Sequence, residues 1–133
     1  MRIKPEEQLQ IDIVNHYYRN VKDKLPYQSL LFSIRNENAK GGWRGIIAGG
    51  IYKQMGRIAG IPDLIFLYNK SQPKIVFIEI KTEKAYFTST GKITKSMGLS
   101  EEQIKTHELL RKMDFDVVVI YNIEAFDKFI LSL

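Results

Sequence analysis

Asp63, Glu79 and Lys81 are the residues of this chain whose types and spacing best suit a reaction. They stand in two short segments, Gly60-Ile61-Pro62-Asp63-Leu64 and Ile78-Glu79-Ile80-Lys81, each embedded in an apolar run. Leu64-Ile65-Phe66-Leu67-Tyr68 and Ile75-Val76-Phe77-Ile78 are rich in strand formers, and Asn69-Lys70-Ser71-Gln72-Pro73-Lys74 between them has turn composition, so a hairpin is predicted. With the turn centred near Ser71, antiparallel pairing sets Asp63 opposite Glu79. Side chains alternate along a strand, which puts Phe77, Glu79 and Lys81 on one face and Val76, Ile78 and Ile80 on the other. Two carboxylates and an ammonium therefore converge. Carboxylates so close repel, and each tends to keep its proton unless a cation lies between them. Hard oxygen ligands of this kind suit Mg²⁺ or Mn²⁺, which also accept water and phosphate oxygens. Lys81 would add a positive charge able to orient an attacking water or to stabilise charge developing on a phosphate oxygen. The chemistry implied is metal-assisted phosphodiester hydrolysis. The same E-x-K spacing also fits a solvated amphipathic strand, with Asp63 capping a turn after Pro62.

Several elements must position these groups. Residues from about Pro5 to Lys24 read as a helix, with Pro in the first turn, Glu6 and Glu7 at the positive end of its dipole, and Leu9, Ile13, Val14, Tyr17, Tyr18 and Val21 at helical spacing. Either glutamate could reach a metal, and either could simply stabilise the first turn. Gln10, inside the apolar stripe, needs a partner that the surroundings of a metal could supply. Leu30 to Ile34 reads as the first strand. Ile46 to Met55 reads as a short helix, closed by Gly56. Ser100-Glu101-Glu102-Gln103 has capping-box form and opens a helix whose apolar face is read as Leu109, Leu110 and Met113. Asp116 to Tyr121 is a buried final strand, and Ile123 to Leu131 a closing amphipathic helix. His16 and His107, the two histidines, fall on helices far in sequence from these motifs and are expected to be exposed or packed, not catalytic.

The basic residues cluster. Arg35, Lys40, Arg44, Lys53 and Arg57 are opposed by Glu37 alone, and Lys81, Lys84, Lys92 and Lys95 by Glu83 alone. Asn36, Lys40, Arg44, Lys53, Arg57, Lys92 and Lys95 are the candidates for contacting a phosphate backbone. Trp43 lies in a Gly- and Asn-rich stretch where an indole could stack on an unpaired base or pack the loop down. The segment from Thr82 to Gly98, which carries Tyr86 and Phe87, reads as a mobile basic flap, as an arm toward a second subunit or as a disordered surface loop.

Pro62-Asp63 followed by Glu79-Ile80-Lys81 matches the PD-(D/E)xK nuclease pattern, and the wider chain resembles the virus-type replication-repair nuclease (VRR-NUC) domain of that superfamily. The similarity runs in order through Glu6-x-x-x-Gln10, Ile34-Arg35-Asn36-Glu37, Gly60-Ile61-Pro62-Asp63-Leu64, Ile78-Glu79-Ile80-Lys81 and Leu99-Ser100-Glu101-Glu102-Gln103. The resemblance implies an α/β, restriction-endonuclease-like core in which a central mixed sheet is flanked by helices, with residues 1–133 forming one nuclease domain. It implies Glu6 over Glu7 as the helical ligand, a metal held by Glu6, Asp63, Glu79 and the backbone carbonyl of Ile80, and Gln103 turned toward the site. Folding that side chain back onto its cap would compete with the last role. The chain departs from the family in the length of the Thr82 to Gly98 segment and in having Asp114 where a glycine is common. The activity implied is a Mg²⁺- or Mn²⁺-dependent DNA endonuclease acting on branched DNA such as a Holliday junction or flap in replication, repair or recombination, working as a homodimer. A catalytically silent nucleic-acid-binding module and a sequence-specific restriction-type endonuclease are the alternatives.

Composition sets the outer limits. A chain of 133 residues with 44% hydrophobic and 26% charged residues suits one globular core, and a net charge of +5 suits a polyanionic partner. With no cysteine, disulfides and thiolate zinc sites are unavailable. No apolar run reaches membrane-spanning length, and the expected setting is the cytoplasm of a prokaryotic or phage-infected cell. No nucleophilic triad, Walker loop or dinucleotide-binding glycine motif is present.

Overall fold

The computed structural model describes residues 2–34 and 50–133. A four-stranded mixed sheet organises them, with strands β1 (Gln28–Ser33), β2 (Leu64–Asn69), β3 (Pro73–Ile80) and β4 (Asp116–Ile120) lying side by side in chain order. β2 runs antiparallel to both of its neighbours, β1 and β3, whereas β4 runs parallel to β3. A parallel neighbour cannot follow through a tight turn, so the chain crosses between them through helix α2 (Glu101–Lys112). Helices α1 (Pro5–His16) and α3 (Ile123–Leu131) complete the fold. The expected α/β architecture, a central mixed sheet flanked by helices, is the one found.

One sheet face builds the core. Leu31, Leu64, Phe66, Val76, Ile78, Ile80 and Ile120 meet Ile13 and Tyr17 from the first helix and Phe126 and Ile130 from the last. Each fully buried aliphatic or aromatic side chain contributes about 1.5–3 kcal/mol relative to exposure, so this face holds the sheet's position. His16 Nε2 lies 2.7 Å from Asp127 Oδ1 and ties α1 to α3. The helix predicted from Pro5 to Lys24 keeps its extent, but its hydrogen bonding loosens to a π turn over Tyr17–Val21 and tightens to 3₁₀ over Lys22–Lys24.

The β2–β3 hairpin has the predicted register. Leu64 pairs with Ile78 and Asn69 with Pro73, a turn centred on Ser71. One step beyond the Leu64–Ile78 pair, Asp63 and Glu79 face each other at the hairpin's open end.

Helix α2 departs from its predicted face. Leu110 is buried, but Leu109 and Met113 are 60% and 57% exposed. The inward stripe instead runs Gln103, His107 and Leu110, spaced by four and three residues. Its polar members lie where the helix passes the hairpin's open end. Asp114 takes the left-handed conformation, φ +66°, that the turn after this helix requires.

Thr82 to Gly98 is neither an unstructured loop nor a free arm. A single helical turn, Glu83–Tyr86, is capped by the Thr82 side chain. The chain then doubles back through a bridge between Phe87 and Ile93 and a hydrogen bond from Thr94 N–H to the Tyr86 carbonyl. Tyr86 stacks on Tyr121 at 4.4 Å between ring centroids, and Phe87 meets the same ring edge-on at 4.9 Å. These aromatics pack the excursion onto the chain just after β4. Arg35, Asn36, Lys40, Trp43 and Arg44, with the first part of the predicted Ile46–Met55 helix, lie outside the described residues; of that helix, residues 50–54 are described and helical.

Candidate metal centre

Strand order, a close helix contact and the start of α1 bring the chemistry together. Asp63 immediately precedes β2, Glu79 is the penultimate residue of β3, Lys81 follows that strand, and Glu6 sits in the first turn of α1. Glu6, Asp63 and Glu79 each place one carboxylate oxygen within 4.8 Å of the others, and this is the one such acidic group among the described residues. Lys81, 9% exposed, has its Nζ 3.9 Å from Glu6 Oε2. Asp63 is fixed by its Oδ2, which accepts a hydrogen bond from the Ile80 N–H at 2.8 Å. Ile80 thus meets the site through its amide hydrogen; the ligand role implied for its carbonyl is a separate matter.

Between the two candidate glutamates, the first turn of α1 separates the roles. Glu7 Oε2 accepts from the Lys4 backbone N–H at 3.4 Å, a capping contact, while Glu6 joins the carboxylate group. Gln10 lines a cleft of about 460 Å³ with Glu7, Val14 and Phe32.

The electrostatics are those of a frustrated site. Burial drives the Asp63 carboxyl up to about 8, helped by hydrogen bonding to Glu79 and by its charge, and opposed by the Ile80 N–H and Lys81. Burial also raises Glu79, while its hydrogen bond with Asp63 and the charge of Lys81 lower it. Asp63 and Glu79 therefore share a proton near neutrality, with Asp63 its principal holder. Glu6 is raised by burial against the pull of Lys81. Three crowded carboxyls, each raised by burial, form a fitting donor set for a hard divalent ion. Metal binding would displace the proton.

Gln103 settles the competition predicted for it by using both ends of its amide. Oε1 accepts from the Ser100 N–H at 2.9 Å, completing the cap, while Nε2 donates to Glu79 Oε2 over a longer 3.4 Å. Gly60 makes this reach possible. At φ +78° it passes so close to α2 that a Cβ there would lie 2.3 Å from the Glu102 carbonyl oxygen. Thr106 adds a hydrogen bond from its hydroxyl to the Ala59 carbonyl at 2.8 Å.

His107 was not expected here. It is 1% exposed, and its Nε2 lies 3.1 Å from Glu79 Oε1. Burial, with Arg111 and Lys81 nearby, lowers its pKa to about 4, so the ring is neutral. Its place four residues after Gln103 was the available signal, because i and i+4 share a helix face. Of the candidate nucleic-acid contacts, Lys53, Lys92 and Lys95 are exposed and Arg57 is half-buried; Asn36, Lys40 and Arg44 fall outside the described residues.

No protein-family model matches the sequence, and no curated protein does. Among solved structures, one described as "VRR_NUC domain protein" superposes with a TM-score of 0.63 at 19% identity, covering 99% of this chain and 89% of that one. The fold is accordingly the VRR-NUC nuclease fold, as the sequence motifs implied.

Proposed function

We propose that this protein is a divalent-metal-dependent DNA endonuclease. The observation that carries the reading is the meeting of Glu6, Asp63 and Glu79 beside the nearly buried Lys81, at one end of a sheet with a nuclease fold. Glu6, Asp63, Glu79 and the Ile80 carbonyl would hold Mg²⁺ or Mn²⁺. When bound, such an ion polarises a phosphoryl oxygen and lowers the pKa of its water. Lys81, its Nζ 3.9 Å from Glu6 Oε2, would stabilise charge gathering on the phosphate. Gln103 steadies Glu79 without ligating. Lys53, Arg57, Lys92 and Lys95, with Asn36, Lys40 and Arg44, are the proposed backbone contacts.

The finer reading is a structure-selective enzyme for Holliday junctions, flaps or other branched DNA, acting in repair or recombination in the cytoplasm of a prokaryotic or phage-infected cell. One metal site cuts one strand, so paired incision of a junction is most simply made by a two-fold homodimer. Incubation with Mg²⁺ and a panel of duplex, single-stranded, flapped and four-way DNA tests the whole. Cleavage of branched substrates that disappears in Asp63→Ala and Glu79→Ala is expected, and sedimentation equilibrium should give a dimer. Binding without turnover would instead mark a silent nucleic-acid-binding module, and cutting at one duplex sequence a restriction-type enzyme.

A further inference from the structure

Two side chains of α2 reach the carboxylate of Glu79, and only Gln103 falls within the motifs discussed above. His107, one turn later, is enclosed with Glu79, which is 0% exposed. Its Nε2 stands 3.1 Å from Oε1, while its Nδ1 is buried with no hydrogen-bond partner among the described residues. A carboxylate facing Nε2 calls for a hydrogen on that nitrogen. A second hydrogen, on Nδ1, would be a buried donor with nothing to receive it, near the positive charges of Arg111 and Lys81. The tautomer with hydrogen on Nε2 and a bare Nδ1 lone pair leaves the less costly group unpaired.

We propose that His107 is a positioning residue for the metal site, a neutral imidazole whose Nε2–H holds Glu79 Oε1 while Gln103 holds Oε2. With one donor on each oxygen, the carboxylate is held against rotation, and its remaining lone pairs would be free to ligate a cation. The proposal rests on the reading of Glu79 as a metal ligand. Packing alone does not account for it. A leucine would fill the same apolar space without burying two ring nitrogens, and the helix offers this stripe position directly beside a carboxylate.

The experiment is calorimetric titration of Mn²⁺ into the parent protein and into His107→Leu, His107→Gln, Asp63→Ala and Glu79→Ala, each first checked for a cooperative thermal transition. Loss of a hydrogen bond behind a metal ligand costs about 10–100-fold in affinity, and His107→Leu should fall in that range. Glutamine can place an amide N–H close to the Nε2 position, so His107→Gln should recover most of the loss. Parent-like binding by both His107 variants overturns the proposal, and so does equal loss in both, since shape and not the donated hydrogen would then be at work. Parent-like binding by Asp63→Ala and Glu79→Ala would instead overturn the metal-site reading itself. A second measurement needs neither metal nor variant. Long-range ¹H–¹⁵N spectra of labelled parent protein should show a neutral His107 ring protonated at Nε2, and a ring protonated at Nδ1 removes the proposed bond. That result also decides the question should the leucine variant fail to fold.

Discussion

The two ends of the β2–β3 hairpin carry charge in opposite ways. At the turn, Lys70 and Lys74 are exposed. Lys70 reaches the Leu133 backbone carbonyl at 2.7 Å and lies 5.6 Å from the centroid of the Tyr27 ring. At the open end, Asp63, Glu79 and Lys81 are drawn out of solvent and crowded by Glu6, and the acids are pushed toward their protonated forms. Strand pairing and alternation are the same at both ends. What differs is what packs over them: α1 and α2 cover the open end, and among the described residues no helix covers the turn. Charge near a strand is cheap where water solvates it and becomes chemistry where the fold removes that water.

The comparison can be broken most severely at Lys81. On the proposed mechanism Lys81→Ala should lower single-turnover cleavage by about a hundredfold or more, while DNA affinity changes only a few-fold, because the ammonium would serve mainly the transition state. A variant that keeps most of its rate would place the ammonium outside the mechanism. Next in size is Gly60→Ala. A methyl 2.3 Å from a backbone oxygen at a positive φ cannot be absorbed by side-chain motion, so chemical denaturation should show a loss of about 2–4 kcal/mol. Because α2 must retreat, Mn²⁺ affinity should fall as well.

A pH series sharpens the contrast between the ends. The folded-state pKa of Asp63 is about 8 against 3.8 unfolded, so the folded protein binds more protons between these values and stability falls as pH rises through that window. His107 has the opposite sign. Lowered to about 4 from 6.5, it makes stability fall as pH drops from 6.5 toward 4. Below pH 6.5 the two slopes oppose each other, and above it the Asp63 term stands without the His107 term. The metal-free melting temperature should therefore drop by several degrees from pH 6.5 to 8. Added Mn²⁺ or the Asp63→Asn substitution should flatten that drop. The smallest effect belongs to the turn: Lys74→Ala should change stability by no more than about 0.5 kcal/mol.

What could be read in advance followed sequence distance. The hairpin was legible because its turn composition and two strand-forming runs fix their own register, and Asp63 and Glu79 follow by symmetry about Ser71. The choice of Glu6 over Glu7 came from resemblance and not from periodicity, since both lie near the same helix face. His107 was missed because its meaning depends on a parallel crossover that lays α2 against Glu79, and its spacing from Gln103 says nothing of that on its own. Leu109 and Met113 misled for the complementary reason. The helix turns its polar residues inward where the site needs them, so the apolar stripe is not the buried one. The Thr82 to Gly98 excursion was unreadable because the ring that anchors it, Tyr121, arrives only after another helix and strand.

The double use of the Gln103 amide joins two equilibria that would otherwise be separate. One end closes the first turn of α2 and the other touches Glu79, so whatever immobilises that carboxylate also resists fraying of the helix start. By reciprocity, a frayed start weakens the grip on the carboxylate by the same free energy. The Ser100 amide, which Gln103 Oε1 accepts at 2.9 Å, is then a remote gauge of occupancy. Its rate of exchange with deuterated water should slow when the centre fills, although the nitrogen itself touches no part of it.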